Sequence, residues 1–269
     1  MIFKRVSSRE RGSIHEADRD VIIFQSPEII AVCSLVIFLA ALNAGLTGIG
    51  YALISLPILI IFLPPKPVVS IILILSIILN LIVLIEARRS VDLRRIWTLI
   101  AAGVVGMPFG THLLKVADVN LLKVLIGAVI TGFALALMKG FSRKVKHEKL
   151  ALLPVGLTSG FLNGATAICG PPVILFFTNQ GMEKQAFRAN VVAYFLILNM
   201  FTIPYFILNG LITPPIIQAS LTLAPAMILG AVSGIIFSRR VREDIFRRIV
   251  LIIVALTGLF SIAAGLRLL

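Results

Sequence analysis

Charge is scarce in this chain of 269 residues: Asp, Glu, Lys and Arg make up 14% of it, against about 25% in a soluble globular domain. Cysteine is scarcer still. Cys33 and Cys169 are the two present, both inside apolar runs, which excludes a disulfide framework or a zinc site with close ligand spacing and leaves them as packing residues. No carboxylate falls near the middle of an apolar run, since Glu86 sits at the edge of one and Asp118, Glu183 and Asp244 lie between runs. An ion-driven cycle built on a buried acid therefore has no residue to use. Nucleophile elbows, metal-ligand clusters and phosphate-cradling loops with their lysine are missing too. Neither an enzyme nor a resident cofactor or metal is expected.

Hydrophobic residues reach 59%, and they are concentrated in uncharged runs of the length a bilayer span needs, roughly 20 residues. Residues 29–65, 150–182 and 189–238 carry no charge over 37, 33 and 50 positions. Each is too long for one pass and is best divided in two, at Gly48-Ile49-Gly50, at Gly164 to Pro172, and between Asn209 and Pro215. Runs at 67–85, 96–114, 121–138 and 249–266 supply single segments. The fold class is thus an all-α polytopic membrane protein of about ten segments. A polar tail at 1–28, a first membrane repeat at 29–140, a basic linker at 141–149 and a second repeat at 150–269 complete the division.

Lys plus Arg outnumber Asp plus Glu by 25 to 12. In a soluble protein that excess would suggest nucleic acid, but here the basic residues gather between spans, as cytoplasmic loops gather them. Arg88 to Arg95, Lys139 to Lys149 and Arg239 to Arg248 mark three such loops. Even numbers of segments separate them, so the count returns the chain to one face each time. Lys184 and Arg188 fall on that face, and both chain ends fall on the other, although Lys4, Arg5, Arg9, Arg11 and Arg19 weigh against the N-terminus.

Five segments per half gives the halves opposite orientations. At a shift of 124, Gly106 meets Gly230, Gly110 meets Gly234, Lys115 meets Arg239, Asn120 meets Asp244 and Lys123 meets Arg247; at a shift of 115, Gly45 meets Gly160 and Pro57 meets Pro172. Inverted repeats with Gly/Pro-broken segments in matching positions are the usual build of secondary transporters, whose substrate sits at those breaks. The first break runs through Asn43, Thr47, Gly48, Gly50 and Tyr51, the second through Asn163, Gly164, Thr166, Gly170 and Pro171. Half-helices starting near Gly50 and Pro171 would turn N–H groups and a positive dipole end toward an anion. The competing explanation is close helix packing through small residues.

Ala44-Gly45-Leu46-Thr47-Gly48-Ile49-Gly50 before Pro57, and Gly170-Pro171-Pro172 with Gly181 and Arg188-Ala189-Asn190, resemble the paired motifs of the sulfite exporter TauE/SafE family. The resemblance spans 29–269, with Tyr51, Ala52, Ala165 and Ala167 standing where small glycines are usual. It implies a permease for small anions such as sulfite, sulfonates or other organic acids.

The candidate substrate-binding residues are those of the two breaks together with Arg188, which starts a span and either binds an anion or anchors the positive face. Asn163 and Thr47 either touch cargo or cap a half-helix. Asn80 and Asn199 read as interhelical hydrogen-bonding residues, His112 as an interfacial histidine, or else the titrating group of a proton-coupled cycle. The expected partners are a small anion and the lipid bilayer of the cell membrane, with a coupling proton or ion and a homo-oligomer both open. An anion channel, a membrane enzyme and a scaffold are the rival classes.

Overall fold

The computed structural model describes residues 26–139, 148–237, 258–263 and 265–266. Among them every regular element is helical: α1 Pro27–Thr47, α2 Tyr51–Phe62, α3 Pro65–Ala87, α4 Leu93–Val116, α5 Val119–Lys139, α6 Glu148–Thr166, α7 Gly170–Asn179, α8 Lys184–Leu208, α9 Pro214–Phe237 and a last stretch at 258–263. Proline opens α1, α3 and α9, where its missing N–H costs nothing and its fixed φ suits the first turn. Five helices, α1, α3, α4, α8 and α9, are long and apolar enough to cross a membrane, and α2, α5 and α6 supply shorter apolar stretches. The expected divisions at Gly48-Ile49-Gly50, after Thr166 and at Asn209 all coincide with helix ends. The basic clusters at Arg143 to Lys146 and Arg239 to Arg248, the tail before Ser26 and most of 249–266 lie outside the described residues.

Large apolar side chains such as Leu35, Val105, Phe109, Leu221 and Leu229 face outward. That surface is what a hydrocarbon solvent requires. In lipid no hydrophobic drive brings helices together, so close backbone packing has to. Gly127 of α5 does so against Gly258, and two further helix pairs do so at several residues each. A methyl group at Gly106 or Gly110 of α4 would strike the carbonyls of Leu157 or Phe161 in α6, and one at Gly230 or Gly234 of α9 would strike those of Phe38 or Leu42 in α1. In the other direction Gly164 of α6 lies on Met107 O and Gly45 of α1 on Ala231 O.

These two interfaces repeat residue for residue. Positions of α4 and α9 correspond at the expected shift of 124, whereas those of α1 and α6 correspond at 119, pairing Phe38 with Leu157, Leu42 with Phe161 and Gly45 with Gly164. The sequence-based shift of 115, which joined Gly45 to Gly160, is thereby corrected. Gly160 and Gly164 lie one helical turn apart on the same face against α4, so residue type cannot choose between them. Backbone contact does.

Side-chain contacts tie the helix ends into two groups. At one end Lys66 donates to the Lys115 carbonyl and Ser70 to that of Leu211. At the other, Arg95 grips Glu148 with two hydrogen bonds, the Asp92 N–H donates to Asn190, and Arg188 pairs with Glu86. Arg88, Arg89, Arg94 and Lys184 are adjacent in sequence to this second group. It is the basic end of the bundle.

Gly110→Val and Gly234→Val are each expected to destabilise the folded protein by about 1–3 kcal/mol through overpacking, read as earlier thermal unfolding in detergent. Gly132→Ala, whose added methyl would meet nothing within 4 Å, should unfold with the parent.

Candidate functional site

Helix α1 stops because Gly48 adopts φ +82°, and Gly50 follows at φ +96°, a left-handed backbone that glycine enters without steric cost. The end is held by side chains. The Gly48 N–H donates to Ala44 O at 2.7 Å, the Thr47 hydroxyl accepts the Ile49 N–H at 3.2 Å and lies 2.9 Å from the Asn43 and Ile49 carbonyls, and Asn43 Nδ2 donates to Ile49 O at 3.0 Å. Helix α6 ends the same way, 119 residues on. The Ala167 N–H donates to Asn163 O at 2.8 Å, and the Thr166 hydroxyl donates to Leu162 O while accepting the Ile168 N–H at 3.2 Å. Ala167 has φ +56°, a conformation that costs a non-glycine residue about 1–2 kcal/mol. The shared hydrogen bonds hold it there.

The helices that leave the breaks differ in what they offer. At α2 the first intrahelical bond runs from Ile54 N to Gly50 O, so the N–H groups of Tyr51, Ala52 and Leu53 lack helical acceptors. At α7 the start is Gly170-Pro171-Pro172, and two of its first three positions carry no N–H at all. The α7 start therefore keeps fewer donors, those of Gly170 and Val173, than the α2 start.

Both breaks line one narrow cavity of about 50 Å³, with Gly48, Ile49, Gly50 and Tyr51 on one side, Ala167, Ile168, Cys169 and Gly170 on the other, and Ser76, Asn80, Phe195 and Asn199 from α3 and α8 between them. Ser76 is the central residue of α3, which places the cavity near mid-height of a full-length helix. No lining residue is charged. Asn80 is 6% exposed and its side chain has no hydrogen-bond partner among the described residues; the Tyr51 hydroxyl, on a residue 5% exposed, is buried without one. Asn199 is committed, donating to Ser76 Oγ at 2.8 Å and accepting from Asn163 Nδ2 at 3.0 Å.

Of the residues expected at the site, Gly48, Gly50, Tyr51 and Gly170 line the cavity. Asn43, Thr47 and Thr166 hold the breaks in shape. Pro171 is buried in the first turn of α7, and Gly164 serves contact with α4. Asn163 stands behind the wall, donating to Asn199 and to Thr202 Oγ1 at 2.9 Å. Arg188 reaches the first break from behind: its stem lies against Gly48, its guanidinium donates to Gly45 O at 2.9 Å and meets Glu86 at 2.8 Å. His112 is exposed on α4. Lining residues outside the expected set include Ser76, Cys169 and Phe195, together with Asn80 and Asn199, which the sequence assigned to interhelical hydrogen bonds. A signal existed for four of them, because Ser76 with Phe195 and Asn80 with Asn199 are related by the same shift of 119.

Uncharged spans, outward-facing apolar side chains and two interrupted helices meeting at one cavity define a polytopic helical membrane protein built around that cavity. Within this class, comparison with protein families matches the chain to "Sulfite exporter TauE/SafE" over residues 33–261. The chain belongs to that family and is a multi-pass membrane transporter. Comparison with curated proteins and with solved structures gives no match.

Thr47→Val and Thr166→Val each strand one backbone N–H, that of Ile49 or Ile168, at an expected cost of about 1–3 kcal/mol. Thermal unfolding in detergent measures the loss, and Thr→Ser at either site should restore most of it.

Proposed function

We propose that this transporter is a plasma-membrane permease that holds one small anion, such as sulfite, a sulfonate or another organic acid, between the paired breaks and exposes it alternately to the two faces. The observation that carries the reading is the cavity where both breaks meet. Its volume of about 50 Å³ corresponds to roughly three or four water-sized bodies, at about 10–15 Å³ each, which is the size class of a four-atom oxyanion. Free α2 amides and the Asn80 amide are donors suited to its oxygens.

Alternation follows from two inverted five-segment halves. The exchange of partners supports this organisation: α4 of the first half packs on α6 of the second as α9 of the second packs on α1 of the first, at equivalent residues. The basic end faces the cytoplasm by the distribution of Lys and Arg. There the Glu86–Arg188–Gly45 contact joins α3, α8 and α1 beside the first break and serves in this reading as the latch on that side. A channel would instead need charge or carbonyl rings along a continuous pore.

Counterflow in proteoliposomes against sulfite, sulfonates, carboxylates and inorganic anions tests the reading. Saturable exchange of at least one small anion is expected, and Asn80→Leu should lower it about tenfold or more, the worth of about 1.5–3 kcal/mol for a hydrogen bond to a charged group. Absence of exchange by the folded parent would remove the permease, and full exchange by Asn80→Leu would remove that residue from the site.

A further inference from the structure

We infer that the cavity selects singly charged oxyanions over doubly charged ones of the same size. The inference rests on the proposed anion site and names its substrate class. An observation beyond the helix N-terminus marks the cavity as a ligand site: Asn80, 6% exposed and part of the lining, has no side-chain hydrogen-bond partner among the described residues.

What the lining lacks sets the charge. Every group it presents is neutral: backbone, Ser76, Asn80, Asn199, the Tyr51 phenol and apolar side chains. Arg188 comes close, lying against Gly48, but its charge is met by Glu86 at 2.8 Å and by the Gly45 carbonyl. The pair adds no net countercharge. The cost of taking an ion out of water grows with the square of its charge, so a dianion loses roughly four times what a monoanion of equal size loses. Fixed dipoles return an energy only linear in charge. About half an elementary charge at one helix end, with one side-chain amide, is matched to a single negative charge. The second helix end adds fewer donors, because Pro171 and Pro172 carry no N–H.

Sulfate and methanesulfonate have nearly the same shape and differ by one charge. In counterflow with the full-length protein in liposomes, methanesulfonate should exchange at least tenfold faster than sulfate. Comparable exchange of the two overturns the inference while leaving the permease standing. Exchange of neither, nor of any anion in the panel, overturns both. Glu86→Gln isolates the electrostatic cause, since it frees the Arg188 charge beside the first break at a half-exposed site. It should shift the sulfate-to-methanesulfonate ratio upward several-fold, and the methyl group's own effect cancels between parent and variant. Asn80→Lys, which places a cation in the cavity itself, should shift the ratio the same way. A folded Asn80→Lys protein with the parent's ratio refutes charge selection.

Discussion

A helix interrupted inside a bilayer strands backbone N–H and C=O groups where no lipid can pair them, so the interruption survives only if protein groups or an enclosed polar cavity take them up. This constraint organises the whole molecule. Thr47 and Asn43 pair the groups freed at the first break, Thr166 those at the second. What remains unpaired at the start of α2 faces a cavity. The same requirement explains why the broken helices sit at the middle of the bundle, enclosed by α3 and α8, while the unbroken α4 and α9 clasp α6 and α1. Backbone contact at glycines makes the clasp tight enough to keep lipid from the breaks.

Most of the fold was legible because its determinants are one-dimensional. Uncharged run length sets spans, and Gly/Pro clusters set ends; Gly48-Ile49-Gly50 and Gly170-Pro171-Pro172 were readable as interruptions for that reason. Register between halves was not. Repeating small residues one turn apart offers several equivalent alignments, and the distinction between Gly160 and Gly164 as partner of Gly45 resides in which carbonyl each one touches. Polar side chains were harder still. Asn163 and Asn80 look alike in sequence, each an amide in an apolar run. Asn163 spends its donors on Asn199 and Thr202, whereas Asn80 spends none, and only the positions of neighbouring helices decide that. The smaller donor set at the second break follows from a local rule: proline has no N–H.

The two breaks match closely where the backbone must be held and diverge along the cavity. Thr47 with Thr166, and Gly48 with Ala167, keep the same hydrogen bonds across the shift of 119. Tyr51, by contrast, corresponds to Gly170, and Arg188 to Val69, which is fully buried. In the proposed cycle an inverted pair of identical halves would make inward-closed and outward-closed states equal in energy. Here only one half is latched. The Arg188 contact with Glu86 and Gly45 stabilises closure at the basic end, and nothing at Val69 can mirror it with a charge. In the proposed cycle these unequal partners would favour the state closed at that end, whose opening would require Glu86 and the Gly45 carbonyl to release a partly buried guanidinium.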